Sequence, residues 1–445
     1  MIEALSSAAT SSIRPAEVFD SLRRHLLVDG MPLVLDLKRS RGTTLVDEAT
    51  GDEYLDMFTF FASNALGMNH PGLTDDEEFK AELLEAAMNK PSNSDIYTVA
   101  MARFVDTFAR VMGAPELPHY FFIEGGALAV ENALKTAFDW KSRLNEREGR
   151  NPELGTQVMH LTDAFHGRSG YTMSLTNTDP NKVARFPKFT WPRIDSPYWA
   201  SERDMDAVEK HALGQATAAF EAHPHDIAAF IMEPIQGEGG DHAFRSSFLR
   251  EMKELVHHHD ALFLLDEVQT GGGMTGTPWA WQHHGVAPDV MAFGKKLQVC
   301  GITAGGRVDE VRGNVFETSS RINSTWGGNL TDMVRSRRIL EIIEAEGLMA
   351  NARTEGEYLL GRLRDLAERH ALVGNPRGIG LMCAISLPDR AIRNEVIRRL
   401  ADEERVLMLG CGVRSLRLRP PLTVTRGVLD RAVDALDRVL TTLEA

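Results

Sequence analysis

The sequence predicts an α/β protein, with a large domain whose mostly parallel sheet lies between helices and a smaller α+β domain beside it. Two observations lead there. Between roughly residue 118 and residue 335, unbroken apolar runs of strand length (HYFFI, TQVMHL, IAAFIM, ALFLLD) alternate with helix-length amphipathic segments. That is the pattern of strands buried on both faces. From about Met349 the pattern changes to long charged helices around Gly-punctuated strands. A length of 445 residues, 43% of them hydrophobic and 25% charged, suits one large core with a satellite and excludes a disordered chain.

Taken in chain order, LVLDLKRSRGTTLVDEATGDEYLDM reads as an alternating strand pair around turn-forming residues. The expected division is residues 1–70 as an N-terminal segment contributing to the small domain, 71–340 as the large domain, and 341–445 as the C-terminal small domain. The four runs of the large domain continue into polar ends: HYFFIEGG, TQVMHLTDAFHG, IAAFIMEPIQGEGG and ALFLLDEVQTGG. Ligands of such sheets bind beyond the carboxyl ends of the strands. The last region reads as a helix from about Thr354 to His370, a strand GIGLMCAISL, a helix from Glu395 to Arg405, the run VRSLRLRPPLTVT and a closing helix. No internal repeat or Pro/Gly/Ser-rich linker interrupts the chain, so the domains are expected to pack tightly.

Lys and Arg total 49 against 63 Asp and Glu, a formal net charge of −14, with no strongly basic tract. Nucleic acid and anionic membrane are therefore not expected partners. A few converging arginines can still receive a small anion, because local charge overrides the mean field in a pocket. The three cysteines, Cys300, Cys383 and Cys411, form no CxxC pair and show no zinc spacing, which suits a reducing compartment. The start, MIEALSSAATSSIRPAEV, lacks the basic residues and apolar run of a leader, and no stretch approaches ~18 apolar residues. A cytoplasmic, soluble protein is expected.

The chemistry concentrates in ALFLLDEVQTG and PDVMAFGKKLQVCG. Asp266, at the end of a buried strand, is costly without a cationic or protonated partner. Alone it reads equally as the cap of the next turn. Lys295 leaves the core after the run VMAF and Gly294, the place for a Schiff-base lysine, though a lone lysine there also reads as a snorkelling side chain. Together the two fit one chemistry. Pyridoxal 5′-phosphate needs a lysine for its carbonyl and a carboxylate facing its pyridine nitrogen.

With these residues the sequence resembles, over nearly its whole length, the class III (ω-amino acid) aminotransferases of PLP-dependent fold type I, whose pattern is an apolar strand ending in D-E-V-Q-T-G followed by P-D and G-K. The resemblance implies pyridoxal 5′-phosphate as cofactor. It implies that backbone N–H groups of Gly126 and Ala127, in FFIEGGALAVENALK, hold the phosphate at a helix N-terminus. Most relatives carry Ser-Gly-Thr where this chain has Gly125, Gly126 and Ala127, so backbone donors must do more. Phe165 in DAFHGRSGY matches the residue stacked on the pyridine ring, and Gln269 the one beside the 3′-oxygen. Thr325 in INSTWGGN matches a threonine that binds the phosphate of the neighbouring subunit's cofactor, which implies a homodimer with composite active sites.

Arg168 and Arg417 match arginines that bind substrate carboxylates, a task suited to bidentate guanidinium geometry. Arg414 and Arg419 do not fit the R-x-x-P-P-L spacing, and Arg419 reads as part of a solvated strand face. Glu238 matches a glutamate that pairs with the arginine at position 417 while a cationic amine donor is bound and then moves aside for a dicarboxylate. Glu233 reads as a structural residue at a strand end.

The segments LVLDLKRSRG, LDMFTFFASNALGMNHP, NKPSNSDIYTVAMARF and FGKKLQVCG resemble the branch of the family that acts on the ε-amino group of L-lysine. This implies transfer to 2-oxoglutarate by a ping-pong transamination, giving L-2-aminoadipate 6-semialdehyde and L-glutamate. The alternatives are another ω-aminotransferase, acting on ornithine, 4-aminobutyrate or diaminobutyrate, and a PLP-dependent racemase or mutase. The run His257 to Asp260 reads as a solvated helix terminus rather than a metal site. Gly271 to Gly276 lacks the Lys-Ser/Thr of a phosphate-binding P-loop, and no GxGxxG or GxSxG occurs.

Overall fold

A computed structural model describes residues 13–444. The first twelve residues, on which the expectation about a leader partly rests, lie outside the described residues. Among those described, no helix is long and apolar enough to cross a membrane.

The centre of the molecule is a seven-stranded sheet in the order His119–Ile123, Cys300–Ala304, Val290–Phe293, Leu262–Asp266, Ile227–Met232, Gln157–Leu161, Arg193–Ile194. From Val290–Phe293 outward to Arg193–Ile194 every pairing is parallel. The unbroken apolar runs follow from double-sided burial. Phe230, Phe263 and Met291 point into one core layer with Phe104 and Phe108. Their neighbours Ile231, Leu264 and Val290 point into the other, against Val130, Ala133, Leu134 and Trp140. Val130, Ala133 and Leu134 lie on the helix Gly126–Arg147 at the i, i+3, i+4 spacing of a buried stripe that Ala137 and Trp140 continue.

One strand was not anticipated. Cys300–Ala304 runs antiparallel between His119–Ile123 and Val290–Phe293. Its sequence CGITA has no apolar run, and its glycine answers to crowding: a Cβ on Gly301 would lie 2.2 Å from the carbonyl oxygen of Phe121. The other large correction concerns GIGLMCAISL, which is not one strand. Gly374–Ile379 and Met382–Ser386 form an antiparallel hairpin, turned by Gly380 in the left-handed region at φ +56°. With Ser415–Leu418 and Leu409–Cys411 they make a four-stranded sheet. The helices of this region also differ in extent from their expected bounds. Leu348–Arg369 starts six residues earlier than expected, directly after the left-handed Gly347, and Arg390–Glu403 starts at an Asp389 whose side chain accepts the Ile392 N–H.

The N-terminal strands Thr44–Val46 and Glu53–Asp56 pair antiparallel, and Glu53–Asp56 pairs in parallel with Val406–Leu407 from the other end of the chain. The last helix, Arg426–Glu444, is fastened by His370, whose Nδ1 lies 2.8 Å from Glu444 and whose Nε2 lies 2.5 Å from Asp437. Burial alone would depress this imidazole, but the two carboxylates raise its pKa above the usual value. A raised folded pKa means the contribution is complete below ~pH 6.5, the unfolded value, and fades as pH rises through the folded one. The final turns of the helix are therefore expected to exchange their amides faster at pH 8.5 than at pH 6 after correction for intrinsic rates. His370→Phe should abolish the difference.

Candidate active site

The parallel strands deliver their carboxyl ends to one edge of the sheet. Register sets the levels: Asp266, the last residue of its strand, lies beside Ala292, which places Lys295 three residues beyond the neighbouring strand's level. Glu233 follows the next strand over. The ends surround a cavity of about 370 Å³ whose lining includes Gly126, Ala127, Phe165, Glu238, Asp266 and Lys295. That volume suits a small cofactor and the reacting end of a substrate.

Asp266 has the partner its burial requires. His166 Nδ1 lies 2.8 Å from its Oδ2, and the Val268 N–H donates to its Oδ1 at 3.0 Å. Phe165 and Arg168 of this loop match family positions in the sequence, whereas His166 between them carries no such mark. The cost of a buried carboxylate at a strand end was the signal, but the two residues are 100 positions apart in the chain.

Lys295 and Lys296 are separated by backbone geometry. Lys295 has φ +50° and Gln298 φ +60°, left-handed values that cost a non-glycine residue about 1–2 kcal/mol. Gln298 closes this turn through its N–H to the Lys295 carbonyl at 2.8 Å and anchors it by its side chain to the Ser63 carbonyl at 2.8 Å. In consequence the two ammonium groups diverge. Lys296 Nζ is buried and donates to the carbonyls of Gln269 (2.7 Å) and Ala62 (3.3 Å). Lys295 lines the cavity. Burial and the charge of Arg417 lower its pKa to about 8, against the opposing pull of Glu238, Asp266 and Glu233.

In the cavity lining Glu238 Oε1 accepts from Arg417 Nη2 at 2.7 Å, and Glu238 Oε2 accepts from Lys182 Nζ at 3.3 Å. Burial would raise the Glu238 pKa, but Arg417 and Lys182 draw it down to about 2. Arg417 is 2% exposed, and its Nε and Nη1 have no hydrogen-bond partner among the described residues. Phe61 stands 5.8 Å from its guanidinium, on a turn, Thr59 to Ala62, whose four residues all have positive φ. Arg168 lies exposed at the cavity, 5.9 Å from the Phe165 ring centre. Glu233, pushed up to about 7 by burial, accepts the N–H groups of Phe165 and Gly237 at 3.0 Å each, so one carboxylate ties the Phe165 loop to the turn bearing Glu238. Gln269 completes that wall; a Cβ on Gly237 would collide with its Oε1 at 2.3 Å.

One sequence-predicted site residue stands apart from this cluster, and one residue read as solvated is buried beside it. Thr325 does not line the cavity but lies exposed beside Trp326. Arg419 does not lie on a solvated face: it is 2% exposed and paired with the carboxylate of Asp241. The expectation failed because Ser415–Leu418 is an inner strand covered on both faces, so side-chain alternation does not lead to solvent.

The chain matches the family described as Aminotransferase class-III over residues 28–440, and it belongs to that family. It is 62% identical to the L-lysine-epsilon aminotransferase of Mycobacterium tuberculosis over 430 residues, 96% of each chain. It is 54% identical to that of Streptomyces clavuligerus over 432 residues, 96% of this chain and 94% of the relative. Its fold superimposes on a lysine aminotransferase from M. tuberculosis in the internal aldimine form with a TM-score of 0.95 at 62% identity, covering 96% of this chain and 99% of that one. The fold is the α/β fold of the PLP-dependent aminotransferases.

The cofactor is pyridoxal 5′-phosphate, and the cavity fits it. The helix Gly126–Arg147 opens into the cavity with no side-chain cap, from a Gly125 at φ +94°. A Cβ on Gly126 would lie 2.9 Å from Val268 Cγ1, so the backbone there is bare. The free N–H groups of such a terminus receive a phosphate. Lys295 offers an amine and Asp266 an anchored carboxylate, the two groups the rest of the cofactor requires.

Proposed function

We propose that this chain transfers the ε-amino group of L-lysine to 2-oxoglutarate, giving L-2-aminoadipate 6-semialdehyde and L-glutamate, as a cytoplasmic homodimer. The observation that carries the reading is the 2.7 Å Glu238–Arg417 pair beside the cavity of Lys295. Lysine presents an amine at one end and a carboxylate at the other, whereas 2-oxoglutarate presents carboxylates at both. A permanently free Arg417 would seize the α-carboxylate of lysine and offer the wrong amine. Glu238 masks it, leaving that carboxylate to Arg168, which also lines the cavity. The identities of 54–62% to lysine-ε aminotransferases favour this donor over ornithine, 4-aminobutyrate or diaminobutyrate.

Bound pyridoxal phosphate supplies a carbonyl for the amine and a protonated ring that draws off electrons when the adjacent C–H bond breaks. Gly126 and Ala127 would hold the phosphate by their N–H groups, and Phe165 and Gln269, which line the same cavity, would hold the ring. Asp266, fixed by His166 and the Val268 N–H, would keep a proton on the ring nitrogen. Lys295 Nζ removes the proton from lysine Cε, and in the second half-reaction delivers one to the α-carbon of the product glutamate. Arg417 receives the α-carboxylate of 2-oxoglutarate once Glu238 withdraws.

The dimer is favoured by an apolar surface. Ile96, Tyr97, Val99 and Trp326 are exposed on two segments tied together by Ser94 Oγ to the Ser324 carbonyl (2.5 Å) and Asn93 Nδ2 to the Gly328 carbonyl (2.9 Å). Thr325 projects from the same surface and would reach the neighbouring subunit's cofactor phosphate. Cys300, Cys383 and Cys411 are buried and unbridged, in keeping with a cytoplasmic protein.

The test is isotopic. Lysine labelled with nitrogen-15 at the ε position, with 2-oxoglutarate, should yield labelled glutamate; label arriving only from the α position overturns the reading, as does a preference for ornithine or 4-aminobutyrate. Racemisation without a keto acid would point to the other class. The Lys295 amine must be neutral to attack the cofactor's carbonyl. Capture of pyridoxal phosphate by the apoenzyme should therefore accelerate about tenfold per pH unit up to pH 8 and level off above it, as followed by absorbance.

A further inference from the structure

Glu238 is held from two sides. One oxygen faces Arg417, a rigid partner on the inner strand Ser415–Leu418; the other faces Lys182, at the end of the short 3₁₀ turn Pro180–Lys182. The two cations differ in freedom. Arg417 is buried at 2% exposure, whereas the Lys182 side chain retains 22%, rests 5.0 Å from the Phe165 ring centre, and hangs from a turn whose own bonds are local: Asp179 accepts the Asn181 and Lys182 N–H groups. When a substrate carboxylate takes Arg417, a largely buried Glu238 must go somewhere. A carboxylate stranded there without a cation would heavily penalise acid binding.

We propose that Lys182 is a positioning residue for this exchange: it keeps hold of Glu238 through Oε2 when an acid displaces Oε1 from Arg417, and so sets the affinity of the site for dicarboxylic acids. While Arg417 already neutralises Glu238, Lys182 gains little from its contact. Once Arg417 is taken, the whole carboxylate charge falls to Lys182, so the lysine favours the acid-bound arrangement. The idea rests on the reading of Glu238 given above.

Binding of glutarate, a five-carbon diacid without a keto group, to the holoenzyme tests it by calorimetry without turnover. Lys182→Met should weaken glutarate about tenfold, and Lys182→Arg should restore it to within about twofold. In a Glu238→Gln background the Lys182→Met effect should shrink to less than about twofold, because Lys182 acts through Glu238. In turnover, Lys182→Met should raise the KM for 2-oxoglutarate while leaving the KM for lysine unraised. Lys182→Gln, closer in polarity, should repeat the Met result if the latter variant unfolds. Unchanged glutarate affinity in both neutral variants overturns the proposal. So does equal weakening with and without Glu238, which would make Lys182 a direct contact of the acid. A parent enzyme that moves no nitrogen from lysine would defeat the reading of the donor, but the glutarate series would still decide the role of Lys182.

Discussion

Lys295→Ala is expected to lower transamination by ~10⁴-fold or more, the loss of both a nucleophile and the proton-transferring base. It should also abolish covalent capture of pyridoxal phosphate. The check is borohydride reduction of the holoenzyme followed by peptide mass spectrometry: the parent should carry the cofactor on Lys295 alone, the variant nowhere. The neighbouring lysine makes this a demanding test, since Lys296 follows Lys295 directly in the chain. It is excluded by its own bonds. Its ammonium is held by the Gln269 and Ala62 carbonyls, and burial lowers its pKa far below the ordinary value. To take over, Lys296 would have to break both bonds and reverse a left-handed turn that Gln298 locks from two sides. Cofactor found on Lys296 in the variant would show that the turn is far softer than its geometry implies. The variant should keep its fold, because the Lys295 side chain makes no hydrogen bond in the turn that holds it.

Asp266 and Lys295 were legible in the sequence for one reason: each follows an apolar run, and parallel strands put all such ends on one edge. The cavity then adds what spacing cannot carry. His166 meets Asp266 across 100 positions and Lys182 meets Glu238 across 56, through loops whose course no periodicity encodes. Arg419 was misread because alternation along a strand reports two faces but not whether the second is covered. The Cys300–Ala304 strand was invisible because it borrows its burial from Phe121 and Phe293 rather than supplying apolar mass of its own. The Gly374–Ser386 hairpin turned on one glycine conformation inside what looked like a continuous run.

Glu238→Ala is expected to separate the two half-reactions. The lysine half should slow about 10²-fold and the glutamate half less than tenfold, as read by stopped-flow absorbance in single turnovers. At its position Glu238 is ionised throughout the working range, with a pKa of about 2. Without it Arg417 would remain buried with Nη2 as well as Nε and Nη1 unpaired. Removing one member of a buried pair strands a charge at a cost of about 3–5 kcal/mol. The nearest relief is the α-carboxylate of lysine, and binding there presents the α-amine to Lys295 rather than the ε-amine. Diverting lysine with even 2.7 kcal/mol of that relief accounts for about a hundredfold loss, at 1.36 kcal/mol per factor of ten. Glutamate and 2-oxoglutarate want Arg417 bare, so their half should lose little beyond the cavity left by the side chain. Glu238→Gln fills that cavity and removes only the charge, so it should keep the asymmetry. Equal loss in both halves for both variants would mean that Glu238 shapes the pocket but does not switch it.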